Sequence, residues 1–124
     1  MNIPLLIAAA LLALLGAAHS TLGERYILIR LFRRNDLPAI LGSSDFTRRT
    51  LRFAWHITSV LAFGLAAILV ILASPGGGTA RMTVEIIAAT CAACGVVALT
   101  GSRGRHLSWV VFFTVAVLLW FGRP

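Results

Sequence analysis

Four stretches of this chain are too long and too apolar to fit inside a water-soluble core of its size. Residues 3–22 run for twenty positions without Asp, Glu, Lys or Arg, and residues 53–72 do the same. Residues 82–100 contain one such side chain, Glu85, and residues 107–121 contain none. A helix of about 20 residues covers the ~30 Å of a bilayer's hydrocarbon. Helical hydrogen bonding is also what satisfies the backbone in lipid. Composition agrees. Of 124 residues, 59% are hydrophobic and 12% charged, whereas soluble domains sit near one half and one quarter. The reading is a single all-α domain, an integral membrane four-helix bundle with spans at residues 3–22, 53–72, 82–100 and 103–121. The last span is the shortest in apolar length, so Arg103 and Arg105 must snorkel toward the interface.

The basic residues orient these spans. All eleven are arginine, set against four carboxylates, for a net charge of +7 and a pI near 11.6. In a soluble protein that balance would suggest nucleic acid. Here the arginines flank apolar spans, so the expected partner is a bilayer with anionic headgroups, and no nucleic acid. Arg25, Arg30, Arg33, Arg34, Arg48, Arg49 and Arg52 lie between the first two spans, and Arg103 and Arg105 between the last two. Only Arg81 and Arg123 fall on the other side. By the positive-inside rule, the arginine-bearing loops face the cytoplasm and both termini the periplasm of a bacterial inner membrane. The first stretch lacks a positive leader and exceeds a signal core, so it reads as a retained helix.

The first loop has structure of its own. Residues 26–34, YILIRLFRR, alternate apolar side chains with arginines, as a short helix lying in the membrane interface would. Asn35-Asp-Leu-Pro38 reads as a turn. Ser44 or Asp45 then caps a helix that continues into the second span and carries Arg48, Arg49 and Arg52 beyond the bilayer. Ser74-Pro-Gly-Gly-Gly-Thr79 is a tight connection on the far side. Small residues at Ala9, Ala13, Gly16, Ala17 and Ser20, at Gly64 and Ala67, and at Ala88, Ala89, Ala92 and Gly95 let helices approach closely. They predict a compact bundle without an open pore.

Ionisable side chains within spans are costly and tend to mark sites. His19, His56 and His106 all fall near the cytoplasmic ends of spans. Glu24 follows His19 by five residues, about 140° around an ideal helix, so Gly23 would have to bend the chain to bring both to one site. His19, His56, His106 and Glu24 make a candidate ligand set for a transition metal such as zinc, copper or iron. His56 and His106, on facing helices, would alternatively hold a haem axially. Ser59 and Phe63 share the face of His56, and Trp109 and Phe113 that of His106. Against this stands a structural reading, in which each histidine bonds its own surroundings at a helix end and Trp55 and Trp109 form the usual aromatic belt. A third reading is a relay for protons or substrate. No catalytic residue can be named.

Two further features invite chemistry. Cys91 and Cys94 share one helix face at mid-span, as in the CxxC of the vitamin K epoxide reductase family, but the second cysteine pair of that family is missing. Burial there favours packing over thiol exchange. Glu85 stands four residues after Arg81, where a same-helix ion pair forms readily.

The stretches Ala18-His-Ser-Thr-Leu-Gly-Glu24, Arg52-Phe-Ala-Trp-His-Ile-Thr-Ser59 and Arg103-Gly-Arg-His106 resemble a group of uncharacterised small four-helix bacterial inner-membrane proteins. The resemblance implies the fold and carries no activity. Three functions fit: a metal- or haem-binding membrane protein, an accessory or assembly subunit of a larger membrane complex, and a small homo-oligomeric transporter.

Overall fold

The computed structural model describes residues 1–124 as four helices. Helix α1 runs over Ile3–Leu31, α2 over Ser44–Ala73, α3 over Ala80–Ser102 and α4 over Ser108–Phe121. The first three are long and apolar enough to cross a membrane. With 14 residues, α4 rises only about 21 Å, short of the hydrocarbon thickness.

The helix ends follow local chemistry. Asn2 caps α1 by accepting the Leu5 N–H, and Thr79 caps α3 by accepting the Met82 N–H, which satisfies donors the helix cannot. At α2 the expected cap by Ser44 or Asp45 is not made. The cap position falls on Ser43, which forms no side-chain bond, and Asp45 instead accepts from Arg49 one turn on at 2.7 Å. Helix α3 ends where Arg103 and Gly104 turn left-handed, at φ 53° and 76°, and the Gly104 N–H returns to the Leu99 carbonyl at 2.9 Å. That reversal is a helix stop. It delays α4 to Ser108, so residues 103–107 are a connection rather than the start of a span, and His106 lies in that connection.

The interfacial helix expected over residues 26–34 is not a separate element. Helix α1 passes beyond Leu22 into a π-helical stretch at Gly23–Leu28 and a final turn at Ile29–Leu31. The Ile29 N–H reaches five residues back to the Glu24 carbonyl. Such wide turns are rare and recur at functional sites.

Packing follows chain order. α1 packs on α2, α2 on α3 and α3 on α4, and no other helix pair meets. The compact, closed bundle expected from the small residues is therefore an open row. α1 and α2 are antiparallel, with the Asn2 N–H bonded to the Ala73 carbonyl at 2.9 Å. Small residues sit at each seam: Gly16 against Ala62 and Phe63, Gly64 against Thr90, and Gly95 against Phe113. Ala17 and Ala67 point outward, and Ala66 is buried where Ala67 was expected. The outer faces carry large apolar side chains, among them Leu11, Leu15, Val111 and Leu118. Cys94 is fully buried and Cys91 half-buried, both as free thiols.

Candidate functional site

The polar side chains of α1 and α2 meet in a single chain of contacts. On α1, Ser20 and Glu24 stand four residues apart, one above the other on a helix face. On α2, Arg52, His56 and Ser59 occupy the matching stripe. Glu24 receives the Arg52 guanidinium on one oxygen at 3.0 Å and faces His56 Nε2 with the other at 3.4 Å. His56 Nδ1 lies 2.9 Å from Ser20 Oγ, which donates to Ser59 Oγ at 2.9 Å. Ser59 is buried, and beyond it the seam continues as Gly16, Ala62 and Phe63. The polar chain ends there.

Gly23 and Trp55 fix this geometry. The Trp55 indole N–H donates to the His19 carbonyl at 2.9 Å. A Cβ on Gly23 would lie inside the indole ring. Trp55 therefore docks against bare backbone where the π-helical turn begins. His19 stacks on the other ring system, centroids 4.4 Å apart and planes 8° from parallel.

The four predicted ligands do not gather. His56 and Glu24 meet; His19 stacks on Trp55, with its Nε2 buried and without a hydrogen-bond partner. His106 packs against Phe46 and Phe53 at 6.1 and 5.2 Å between centroids. Its Nδ1 accepts the Ser108 backbone N–H at 3.3 Å, which covers an orphan donor at the start of α4. No three of the chain's His, Cys, Asp and Glu side chains come close enough to hold a metal ion. Both nitrogens of His56 are already engaged, so it is not poised as an axial ligand beside His106.

Each polar atom of the network thus has a partner: Ser20 donates to Ser59 and meets His56 Nδ1, and His56 Nε2 faces Glu24, which Arg52 holds on its other oxygen. A serine, histidine and glutamate in this order resemble a hydrolytic triad. However, Ser20 sits mid-helix, where backbone N–H groups are spent on the helix, so no oxyanion donors face it.

Beside the network lies a cleft of about 540 Å³ at the end of α2. Arg48, Arg49, Arg52 and Asp45 supply its charge, and His56 joins them in the lining. Phe32, which follows α1, and Phe53 and Val97 give it apolar walls. The Asp45 carboxyl is held below its ordinary range by the Arg49 hydrogen bond, with further help from Arg103 and Arg105. The two arginine-bearing loops thus gather at one end of the molecule. Nearby Asp36 is drawn down to about 2 by its hydrogen bond from Arg34. At the opposite end Glu85 pairs with Arg81 at 3.0 Å, as the i,i+4 spacing predicts, and also with Arg123 at 3.7 Å.

Ser20, Arg52 and the cleft arginines were not among the predicted site residues. Their signal was present as two stripes, Ser20/Glu24 and Arg52/His56/Ser59, each at helical spacing. What a single stripe does not reveal is which other stripe it faces. No family model, curated protein or solved structure matches this chain. The functional reading rests on the geometry alone.

Proposed function

We propose that this chain is a four-pass protein of a bacterial inner membrane, both termini periplasmic, that binds anionic headgroups of the cytoplasmic leaflet through the arginine-rich end of α1 and α2. The carrying observation is the chain Arg52–Glu24–His56–Ser20–Ser59 opening onto an arginine-lined cleft. Ionisable groups so close to an apolar seam are expensive unless they do work, and basic pockets between membrane helices suit acidic lipid headgroups. The polar chain stops at Ser59, which favours a one-sided site over a path through the protein. A metal or haem is not part of the proposal, because His19, His56, His106 and Glu24 do not gather into one ligand set.

Two measurements test it. A reporter inserted within residues 35–43 should read cytoplasmic, and reporters within residues 76–78 or at either terminus periplasmic. Protein purified in detergent should retain anionic lipid through gel filtration. Reversed reporters, or retained lipid no more acidic than the extract, would sink the reading.

A second reading, an accessory subunit, is favoured by the open row, in which α1 and α4 each have one helical neighbour and an uncovered apolar flank. It predicts co-purification with a stoichiometric membrane partner and aggregation when expressed alone.

A further inference from the structure

The cleft at the end of α2 has a composition that selects among anions. Its three guanidiniums come from two adjacent turns of one helix, with Arg48, Arg52 and His56 along one stripe and Arg49 and Phe53 along the next. Each arginine is steadied by a different acceptor. Arg49 gives Nε to Asp45 at 2.7 Å, Arg52 gives one Nη to Glu24 at 3.0 Å, and Arg48 gives one Nη to the Arg34 carbonyl at 3.2 Å. All three keep further N–H groups for a ligand. Arg48 Nε is buried with no hydrogen-bond partner at all, a condition that normally costs free energy. The facing wall from α3 is uncharged: Val97, Thr100 and Gly101. Arg52 also lies 4.9 Å over the Phe32 ring, so the rim of the cleft is aromatic.

We infer that the cleft takes a phosphomonoester headgroup borne on an apolar tail, in preference to a phosphodiester. The inference rests on the reading above, that this end binds anionic headgroups, and names which ones. Guanidinium forks match the oxygens of phosphate. The lining holds three arginines against Asp45, Glu24 offsets Arg52 from just outside it, and Arg103 and Arg105 act on Asp45 from the next connection. Five arginines thus stand against two carboxylates, and positive charge is in excess by three. A phosphomonoester brings about −1.5 to −2 at pH 7, while a diester brings one negative charge. A monoester also presents three terminal oxygens to three separate arginines. Phe32, Phe53 and Val97 then flank the first carbons of the tail. The volume lies within the ~300–1,000 Å³ usual for small-molecule sites.

The test uses the full chain, purified in detergent and incubated with equal amounts of phosphatidic acid, phosphatidylglycerol and phosphatidylcholine of identical acyl chains. Native mass spectrometry reads the retained lipid. Phosphatidic acid should be retained about tenfold over phosphatidylglycerol, the factor expected of one additional charged hydrogen bond. Arg48→Ala and Arg49→Ala should each lower that retention by a similar factor, with helix content followed by circular dichroism. Arg48→Lys, which keeps charge but loses the fork, should fall between, and serves if the alanine variant does not fold. Arg81→Ala, exposed at the opposite end of the molecule and paired there with Glu85, should change nothing.

Equal retention of phosphatidic acid and phosphatidylglycerol overturns this inference and leaves the anionic-headgroup reading standing. Retention of neither overturns both. Unaltered retention in folded Arg48→Ala and Arg49→Ala removes the cleft as the site. If glycerol 3-phosphate displaces phosphatidic acid as well as the lipid itself does, the ligand is a soluble phosphomonoester, and the apolar-tail half of the inference falls.

Discussion

The seam between α1 and α2 and the seam between α3 and α4 bring backbones together with the same device and differ in everything else. Both place glycine under an aromatic ring: Gly23 beneath Trp55, and Gly95 beneath Phe113. Beyond Gly95, Ala88, Ala92 and Ala116 line the α3–α4 contact, no side-chain hydrogen bond joins the two helices, and the one ion pair, Glu85 with Arg123 at 3.7 Å, sits past the end of α4. Around Gly23 the contact carries an indole hydrogen bond, an ion pair and a histidine–serine chain. Apolar packing tolerates small slips, whereas each hydrogen bond has one register. The first seam is therefore the specified one, and the second is a close fit between smooth surfaces.

The largest contrast should come from filling the two glycines. Gly23→Leu must push the indole off the His19 carbonyl as well as overpack the seam, for a loss of about 3 kcal/mol. Gly95→Leu should cost less, about 1–2 kcal/mol, because the Phe113 ring can rotate away. Thermal unfolding in detergent ranks the two, and an equal or reversed order would break the comparison.

Removing charge probes the polar seam next. Glu24→Ala leaves Arg52 and His56 without their acceptor. Since all three are partly exposed, screening limits the loss to about 1–2 kcal/mol. A double-mutant cycle of Glu24→Gln with His56→Ala should show a coupling of roughly 0.5–1 kcal/mol. Strict additivity would mean that the 3.4 Å approach carries no interaction.

Ser59→Ala sharpens the same point at lower cost, about 1 kcal/mol for a lost buried hydrogen bond. Cys94→Ala, an apolar change beside the smooth seam, should shift the melting temperature without altering the His56 imidazole chemical shifts followed by NMR. Ser59→Ala should alter both.

The smallest effect is on pH. Asp36 and Asp45 are ionised more readily in the fold than in the unfolded chain. The stability each adds is present above the ordinary aspartate range and lost as pH falls through the depressed values. Carboxyl NMR should find Asp36 titrating near 2, and Arg49→Ala should return Asp45 toward its usual range.

Much of the architecture was written in local patterns. Twenty uncharged residues at the start make α1, the Pro-Gly-Gly-Gly run makes the α2–α3 turn, and Arg81 four residues before Glu85 makes an ion pair. The two polar stripes of the site were legible separately, because spacing along one helix follows from 3.6 residues per turn. Their meeting was not, because it depends on how α1 rotates against α2. The π-helical turn was equally hidden, since nothing in GERYIL distinguishes it from an ordinary helix. His106 misled for a different reason. Arg103 adopts a left-handed conformation uncommon outside glycine, and that reversal turns the first five residues expected of the fourth span into a loop whose histidine seats α4.

The row of helices has a consequence for how such a chain is made. Every pair of helices in contact is consecutive along the chain, and the connection before α4 reaches back past α3 to α2 through His106. The α1–α2 pair, with its glycine notch, its indole and its serine pair, is made of residues that all precede α3 in the chain. α3 and α4 then add to a finished edge. Assembly of this protein can keep pace with translation, one hairpin at a time, and the polar seam serves as its first checkpoint.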